Sequence, residues 1–290
     1  MKLLPILLLF LNALSGHAQG EILFFQTNWG NEESWDAFCQ RAKADGYDGI
    51  EIWMPEKTED QTRLKSALRK HGLLVGFLNG TDTSIPFEES LRAYTKNFEI
   101  LLGFGPAYIN CHTGSDFYSM EQNKAFIAAA NKIGKDHNIP VYHETHRGRF
   151  SYNLPDTQKY LHAMPDLKLT LDISHWMVVH ESLLENQDKN LKEVISRSHH
   201  IHARVGFAEG PQVNDPQAPE WKHALERHLD IWEKVILEKW RETGLPFTIT
   251  TEFGPADYMP TLPYTRVPVA DQRKANVFIM KSIKKRMYGA

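Results

Sequence analysis

The sequence predicts an α/β fold, a (β/α)8 TIM barrel preceded by a signal peptide. Two observations on the 290 residues lead to the barrel. Short β-branched and aromatic runs alternate with longer segments of helical periodicity eight times over. No Gly/Pro/Ser-rich stretch splits the alternation into two domains, as an open doubly wound sheet with a second domain would need. The leader is read from MKLLPILLLFLNALSGHAQG: one lysine, a short apolar run, then small residues. Gly16 and Ala18 place cleavage before Gln19. The run is too short for a stable membrane anchor. Domains are therefore expected at 1–18 (signal peptide) and 19–290 (barrel), with the mature protein exported to the periplasm or the extracellular space.

The elements follow in order. EILFFQ (21–26) reads as the first strand, and NEESWDAFCQRAKA (31–44) as a helix with acidic residues at its start and basic ones near its end. GIEIW (49–53) is the second strand. The helix after it is capped by Thr58 and stopped by Gly72. LLVGFLN (73–79), a helix over 87–102, AYINCH (107–112) and a helix over 120–137 come next. IPVYHET (139–145) is the fifth strand, followed by a short helix over 154–163. LKLTLDI (167–173) is the sixth, with helical material in 178–197. HHIHARV (199–205) is the seventh, before a long helix over 221–242. FTITTEF (247–253) is the eighth, and the last helix covers 271–285.

Composition narrows the function. The formal charge is -3 with no basic block, which disfavours a nucleic-acid partner. The glycine-rich pieces LLGFGP and RVGFAEGP lack a phosphate-loop or dinucleotide fingerprint. Cys39 and Cys111 read as buried free thiols, since nothing in their spacing argues for a disulfide.

Strand parity then places chemistry. With a period of two, Tyr142, Glu144 and His146 share a face, as do Thr170 and Asp172, His200, His202 and Arg204, and Thr248, Thr250 and Glu252. Glu144, Asp172, His202 and Glu252 each stand near the C-terminal end of a strand, the catalytic face of such barrels. Three carboxylates gathered at one mouth are costly without a cation, and with one imidazole they suit a divalent ion: Mn²⁺ first, with Mg²⁺, Co²⁺ or Zn²⁺ as alternatives. Each residue also has a plain structural role open to it. Glu144 can pair with Arg147 or Arg149, Asp172 can cap the segment after its strand, His202 can be a core histidine, and Glu252 can accept from Arg204. Trp29 and Trp53, at the ends of the first two strands, can stack on a sugar face or simply pack. His112 and His146 are further pocket candidates.

The stretches DGYDGIEIW, VYHETH, LTLDISHW, HHIHARVG and ITTEFGP resemble the xylose isomerase-like family of barrels, especially its sugar isomerase and epimerase branch. The resemblance implies that Glu144, Asp172, His202 and Glu252 hold the metal, and that Glu144 and Glu252 also move protons. It implies that His175, three residues after the aspartate, and Arg204 touch substrate; Arg204 stands closer to the histidine than the arginine of some members. The expected activity is isomerisation or epimerisation of a neutral sugar or keto-sugar through an enediolate. A lyase that opens 3-keto-glycosides by β-elimination is the alternative. A repair endonuclease and a sugar-binding barrel without catalysis are weaker readings, the first opposed by charge and the second by two intact glutamates.

Overall fold

The computed structural model describes residues 20–289, so the expected signal peptide at 1–18 lies outside the described residues. Eight strands run β1 (Ile22–Thr27), β2 (Gly49–Trp53), β3 (Leu74–Gly80), β4 (Tyr108–His112), β5 (Val141–Glu144), β6 (Leu169–Leu171), β7 (Ser198–Ala203) and β8 (Phe247–Thr251). Nine α-helices among the described residues connect and follow them: α1 (Trp35–Ala44), α2 (Thr58–His71), α3 (Phe87–Leu102), α4 (Met120–His137), α5 (Leu154–Ala163), α6 (Ile173–Val179), α7 (Asp188–Arg197), α8 (Lys222–Thr243) and α9 (Gln272–Tyr288). The strands pair in parallel in chain order, and β8 closes on β1 from Ile22↔Phe247 to Gln26↔Thr251. This is the (β/α)8 barrel that the alternation predicts.

The period of two builds two different surfaces. Phe24, Ile50, Ile52, Phe77, Ile109, Leu169, Leu171, Ile201 and Ile249 alternate outward and are buried in the layer between sheet and helices. A parallel strand is covered on both faces, so these runs stay apolar or β-branched throughout. The inward set is mostly polar above and aromatic below. Tyr108 packs edge-on to Phe25 at 5.0 Å and against His200 at 4.4 Å, with Tyr142 at 6.0 Å. This aromatic floor needs glycine opposite it: a Cβ on Gly49 would collide with the Phe25 ring, and one on Gly76 with the Tyr108 ring. At the floor end the first and last described segments meet, for the Tyr288 hydroxyl donates to the Gly20 carbonyl at 3.1 Å.

Most helix ends follow local chemistry. Gly72 closes α2 at φ 60°, as its lack of a Cβ allows. The start of α2 differs by one residue from the expectation: Thr58 is its first helical residue, and Lys57 takes the cap position with no side-chain bond. α1 begins at Trp35 rather than Asn31, because Ser34 caps it through Ala37 N and Asn31 closes a turn with Glu33 instead. The largest departure lies at β6. The strand ends at Leu171, and Asp172 turns the chain at once into α6 by accepting from Ser174 N at 3.1 Å. Ile173 reads as the last strand residue and helix is expected only from 178, yet α6 starts at Ile173 and is buried on the barrel rim. Cys39 and Cys111 are buried and unpaired. Among the described residues no helix is long and apolar enough to cross a membrane.

Candidate metal centre

Four strand ends converge at the C-terminal mouth. Glu144 is the last residue of β5, Asp172 follows β6, His202 lies in β7, and Glu252 follows β8. All four are buried, and one ligand atom from each falls within 4.8 Å of every other. His202 is the centre of the group, its Nδ1 lying 3.0 Å from Glu252 Oε2 and 3.3 Å from Glu144 Oε2.

The donor set fits a divalent ion on two grounds. Glu144 Oε1 is a buried carboxylate oxygen with no hydrogen-bond partner, a group that costs several kcal/mol in the absence of compensating charge. The charges also fail to balance. Glu51, Glu144, Asp172 and Glu252 are buried together, and Arg204 is the permanent cation set among them. Burial alone would lower the basicity of His202, but Glu252, Glu51 and Glu144 outweigh it and raise its pKa well above the usual imidazole range. Burial would raise Glu144, yet the charges of His112 and His202 hold it well below the usual carboxylate range. Asp172 goes the other way: burial, reinforced by Glu252 and Glu144, pushes it up to about 6 despite Arg204. A cluster that draws a proton onto its imidazole demands positive charge, and three carboxylates with one imidazole supply the oxygen-rich donors of Mn²⁺ or Mg²⁺ and one borderline nitrogen.

The plain structural roles are resolved individually. Glu144 does not pair with Arg147 or Arg149; Arg149 donates to the carbonyls of Thr81 and Gly114, while Glu144 faces His112 Nε2 at 2.8 Å. Asp172 does cap α6, through Oδ1, and its Oδ2 accepts from Arg204. Arg204 lies 3.4 Å from Glu252 Oε2. Its guanidinium is only 1% exposed and is covered by the Tyr258 ring at 4.7 Å and the Trp29 ring at 6.0 Å. Arg204 is thus buried beneath Tyr258 and paired with Asp172.

The remaining candidates line one wall. The imidazoles of His112, His146 and His175 follow one another at 5.0 and 3.9 Å between ring centres. His146 donates from Nδ1 to the Arg147 carbonyl at 2.5 Å. Burial first, then His112, lower its pKa to about 3, so it is neutral with a free Nε2. His175 Nε2 accepts from Arg204 at 2.9 Å, since a guanidinium can only donate. Its proton is thus on Nδ1, which is buried and unpartnered. Glu144, His146 and His175 also lie close enough to share an ion. With the accepting nitrogen of His175 already given to Arg204, that ring offers a donor, which suits a substrate oxygen. Trp53 is 46% exposed at the rim, edge-on to His112 at 5.3 Å, and Trp29 packs edge-on to Tyr258 at 4.8 Å.

Sequence reasoning missed two residues. Asn110 donates to Glu144 Oε2 at 2.8 Å, and Glu51 lies 2.7 Å from His202 Nε2. Both carried a signal. Each stands two residues before a strand end already assigned to the mouth, Asn110 before His112 and Glu51 before Trp53, and so shares its inward face.

Comparison with known proteins agrees with the geometry. A family profile described as "Xylose isomerase-like TIM barrel" matches residues 39–235. No curated protein matches in sequence. Several solved structures share the fold. The 3-keto-D-glucoside 4-epimerase YcjR of E. coli superposes with a TM-score of 0.59 at 15% identity, covering 91% of this chain and 100% of its own. The probable 3-DHS dehydratase AsbF of Bacillus anthracis gives 0.58 at 16% identity, covering 91% and 98%. An AP endonuclease, family 2, of Brucella melitensis gives 0.58 at 17%, covering 81% and 94%. Identities this low speak for the fold alone.

Proposed function

The chain belongs to the xylose isomerase-like TIM-barrel family, and from that premise we propose that it is a divalent-metal-dependent sugar isomerase or epimerase acting on a neutral sugar or keto-sugar through an enediolate. The observation that carries the reading is the pair of glutamates, Glu144 and Glu252, brought from separate strands, β5 and β8, to within 3.3 and 3.0 Å of His202 Nδ1. Holding an ion needs carboxylates; flanking a substrate carbon with two of them allows a proton to leave on one side and return on the other.

A divalent ion, Mn²⁺ by preference, held by Glu144, Asp172, His202 and Glu252 would polarise a carbonyl and its neighbouring hydroxyl, acidifying the adjacent C–H. The rest is done by side chains. Glu144, held below the usual carboxylate range, is ionised and free to accept the proton at Oε1. A protonated Glu252 returns a proton to the same carbon from the β8 side, giving inversion; delivery by Glu144 to the neighbouring, former carbonyl carbon, with the hydroxyl proton passing between the two oxygens, moves the carbonyl instead. His175 donates from Nδ1 to a substrate oxygen, and Arg204 keeps Asp172 in place. Trp53 and Trp29 offer ring faces at the rim for an apolar sugar face, and His112 and His146 complete the wall beside Glu144. The burial of the cluster excludes water from the anion between the two transfers.

The buried donor at His175 also suits the second reading, β-elimination from a 3-keto-glycoside, because a leaving oxygen needs a proton. One experiment separates the two. The metal-loaded protein is incubated in deuterium oxide with neutral ketoses, aldoses and 3-keto-glycosides. Epimerisation places solvent deuterium on the inverted carbon; elimination releases the aglycone and leaves an unsaturated sugar visible by mass spectrometry. Turnover without exchange or elimination overturns both. Glu144→Gln and Glu252→Gln, with metal content measured in the same samples, are each expected to lower turnover by about 10²- to 10⁴-fold, the usual contribution of a general base.

A further inference from the structure

Glu51 is the least explained charge in the molecule. It lies in the middle of β2, is 1% exposed, and points inward one layer beneath the cluster. Its ion-pair partners among the described residues are His202, with Nε2 2.7 Å from Oε1, and His200, with Nε2 3.3 Å from Oε2. An apolar side chain would fill that space without the cost of burying a carboxylate. The charge therefore has to serve something in the layer above.

A cation site at Glu51, His200 and His202 is the first possibility, for the three lie close enough together. His200 argues against it. Its Nδ1 is engaged by the Thr248 hydroxyl at 2.8 Å and its Nε2 by the Thr250 hydroxyl at 3.2 Å. Beneath it, Tyr108 seals the barrel at 4.4 Å. What remains is the His202 ring itself. Nε2 faces Glu51 at 2.7 Å and the Asn110 amide nitrogen at 3.0 Å, while Nδ1 faces Glu144 and Glu252, so the ring bridges the two layers; of the two groups at Nε2 only the Glu51 carboxylate can accept a hydrogen bond.

We propose that Glu51 is the positioning residue of His202: it accepts the hydrogen bond of Nε2–H, fixing the tautomer and the ring plane so that the Nδ1 lone pair points into the Glu144–Asp172–Glu252 cluster. An imidazole that binds a cation through one nitrogen must keep its proton on the other, and a carboxylate partner both holds that proton and makes the ligand nitrogen more basic. Asn110 plays the matching part for Glu144 by donating to Oε2, which leaves Oε1 as the open oxygen. The cluster is thus held by two inward side chains of β2 and β4, strands that supply none of its four members. This assignment rests on the cation-binding reading of the cluster and is independent of which sugar reacts.

The test is Mn²⁺ affinity of the full, metal-stripped chain, measured by calorimetry or chelator competition, with a thermal melt for every variant. Glu51→Met keeps length and fills the barrel but removes the acceptor; Glu51→Gln keeps an acceptor oxygen and loses the charge. Loss of an outer partner of a ligand imidazole typically weakens metal binding by about 10- to 100-fold, and Glu51→Met is expected in that range. Glu51→Gln is expected between wild type and Glu51→Met. Gly72→Ala, at the distant end of α2, provides a folded control whose melt shifts without change in Mn²⁺ affinity. Wild-type affinity in Glu51→Met, or equal losses in Met and Gln variants, would overturn the assignment. Should Glu51→Met fail to fold, Glu51→Gln decides alone, and wild-type affinity there overturns it. A wild-type chain that binds no Mn²⁺, Co²⁺ or Zn²⁺ sinks the cation reading as well, which distinguishes that failure from one confined to Glu51.

Discussion

At Asp172 one carboxylate serves several partners: the Ser174 amide and hydroxyl on Oδ1, and Arg204 on Oδ2 beside the other cluster members. Asp172→Asn keeps the shape and a capping oxygen but removes the charge. It is expected to cut bound Mn²⁺ sharply, by metal analysis of the purified variant. It also strips the buried Arg204 of its closest counter-ion, for which losses of about 3–5 kcal/mol are typical; with Glu252 still 3.4 Å away the lower end is expected in urea unfolding. Wild-type metal content would remove Asp172 from the site. A second residue is one of several histidines whose burial makes the fold sensitive to acid. His228 accepts the Gly206 amide at Nε2 (3.1 Å) and donates from Nδ1 to the Ala224 carbonyl (2.7 Å), so a further proton would point at another donor. Burial, the main cause, lowers its pKa to about 4. The unfolded chain takes the proton near pH 6.5 and the folded one does not, so stability falls as pH drops between those values, by roughly 3 kcal/mol. Urea midpoints at pH 7 and 4.5 should show this drop, and His228→Gln should flatten it relative to wild type.

The elements show why most of the architecture was legible. β2, α3, α4 and α5 begin and end where periodicity and capping residues place them, because local signals and tertiary packing agree there. The start of α6 was not legible: Ile173 is a β-former read as the end of the strand, with helix expected only from 178, and the Asp172–Ser174 bond, a contact of the folded rim, begins the helix at Ile173. The four cluster residues could be read because they sit at strand ends, where a carboxylate has few structural reasons to be. Glu51 and Asn110 sit mid-strand, and parity alone gives their direction without their partners. The burial of Arg204 depends on Tyr258 folding back from the segment after β8, which no local pattern announces. Helix ends give a direct check. Gly72 holds φ 60° with open space around a would-be Cβ, so Gly72→Ala meets backbone strain without a clash. A loss of about 1 kcal/mol is expected in chemical denaturation; no loss would mean the cap relaxes to another conformation.

For the whole molecule, the leader remains a proposal drawn from residues 1–18: protein recovered outside the cytoplasm should begin at Gln19 on N-terminal sequencing, and a cytoplasmic product that still begins at Met1 would refute export. The barrel gives that proposal a geometrical side. Gly20 and Tyr288 meet at the sealed end, below the floor of Phe25, Tyr108 and Tyr142, while every cluster residue opens at the other. The floor closes the barrel on that side, so whatever reaches the cluster enters and leaves by the C-terminal mouth. Gly20 and Tyr288, near the two limits of the described residues, both hang from the back wall. Anchored to a bead or an electrode at either of those two residues, the protein would stand with its mouth facing the bulk liquid, open to whatever diffuses past.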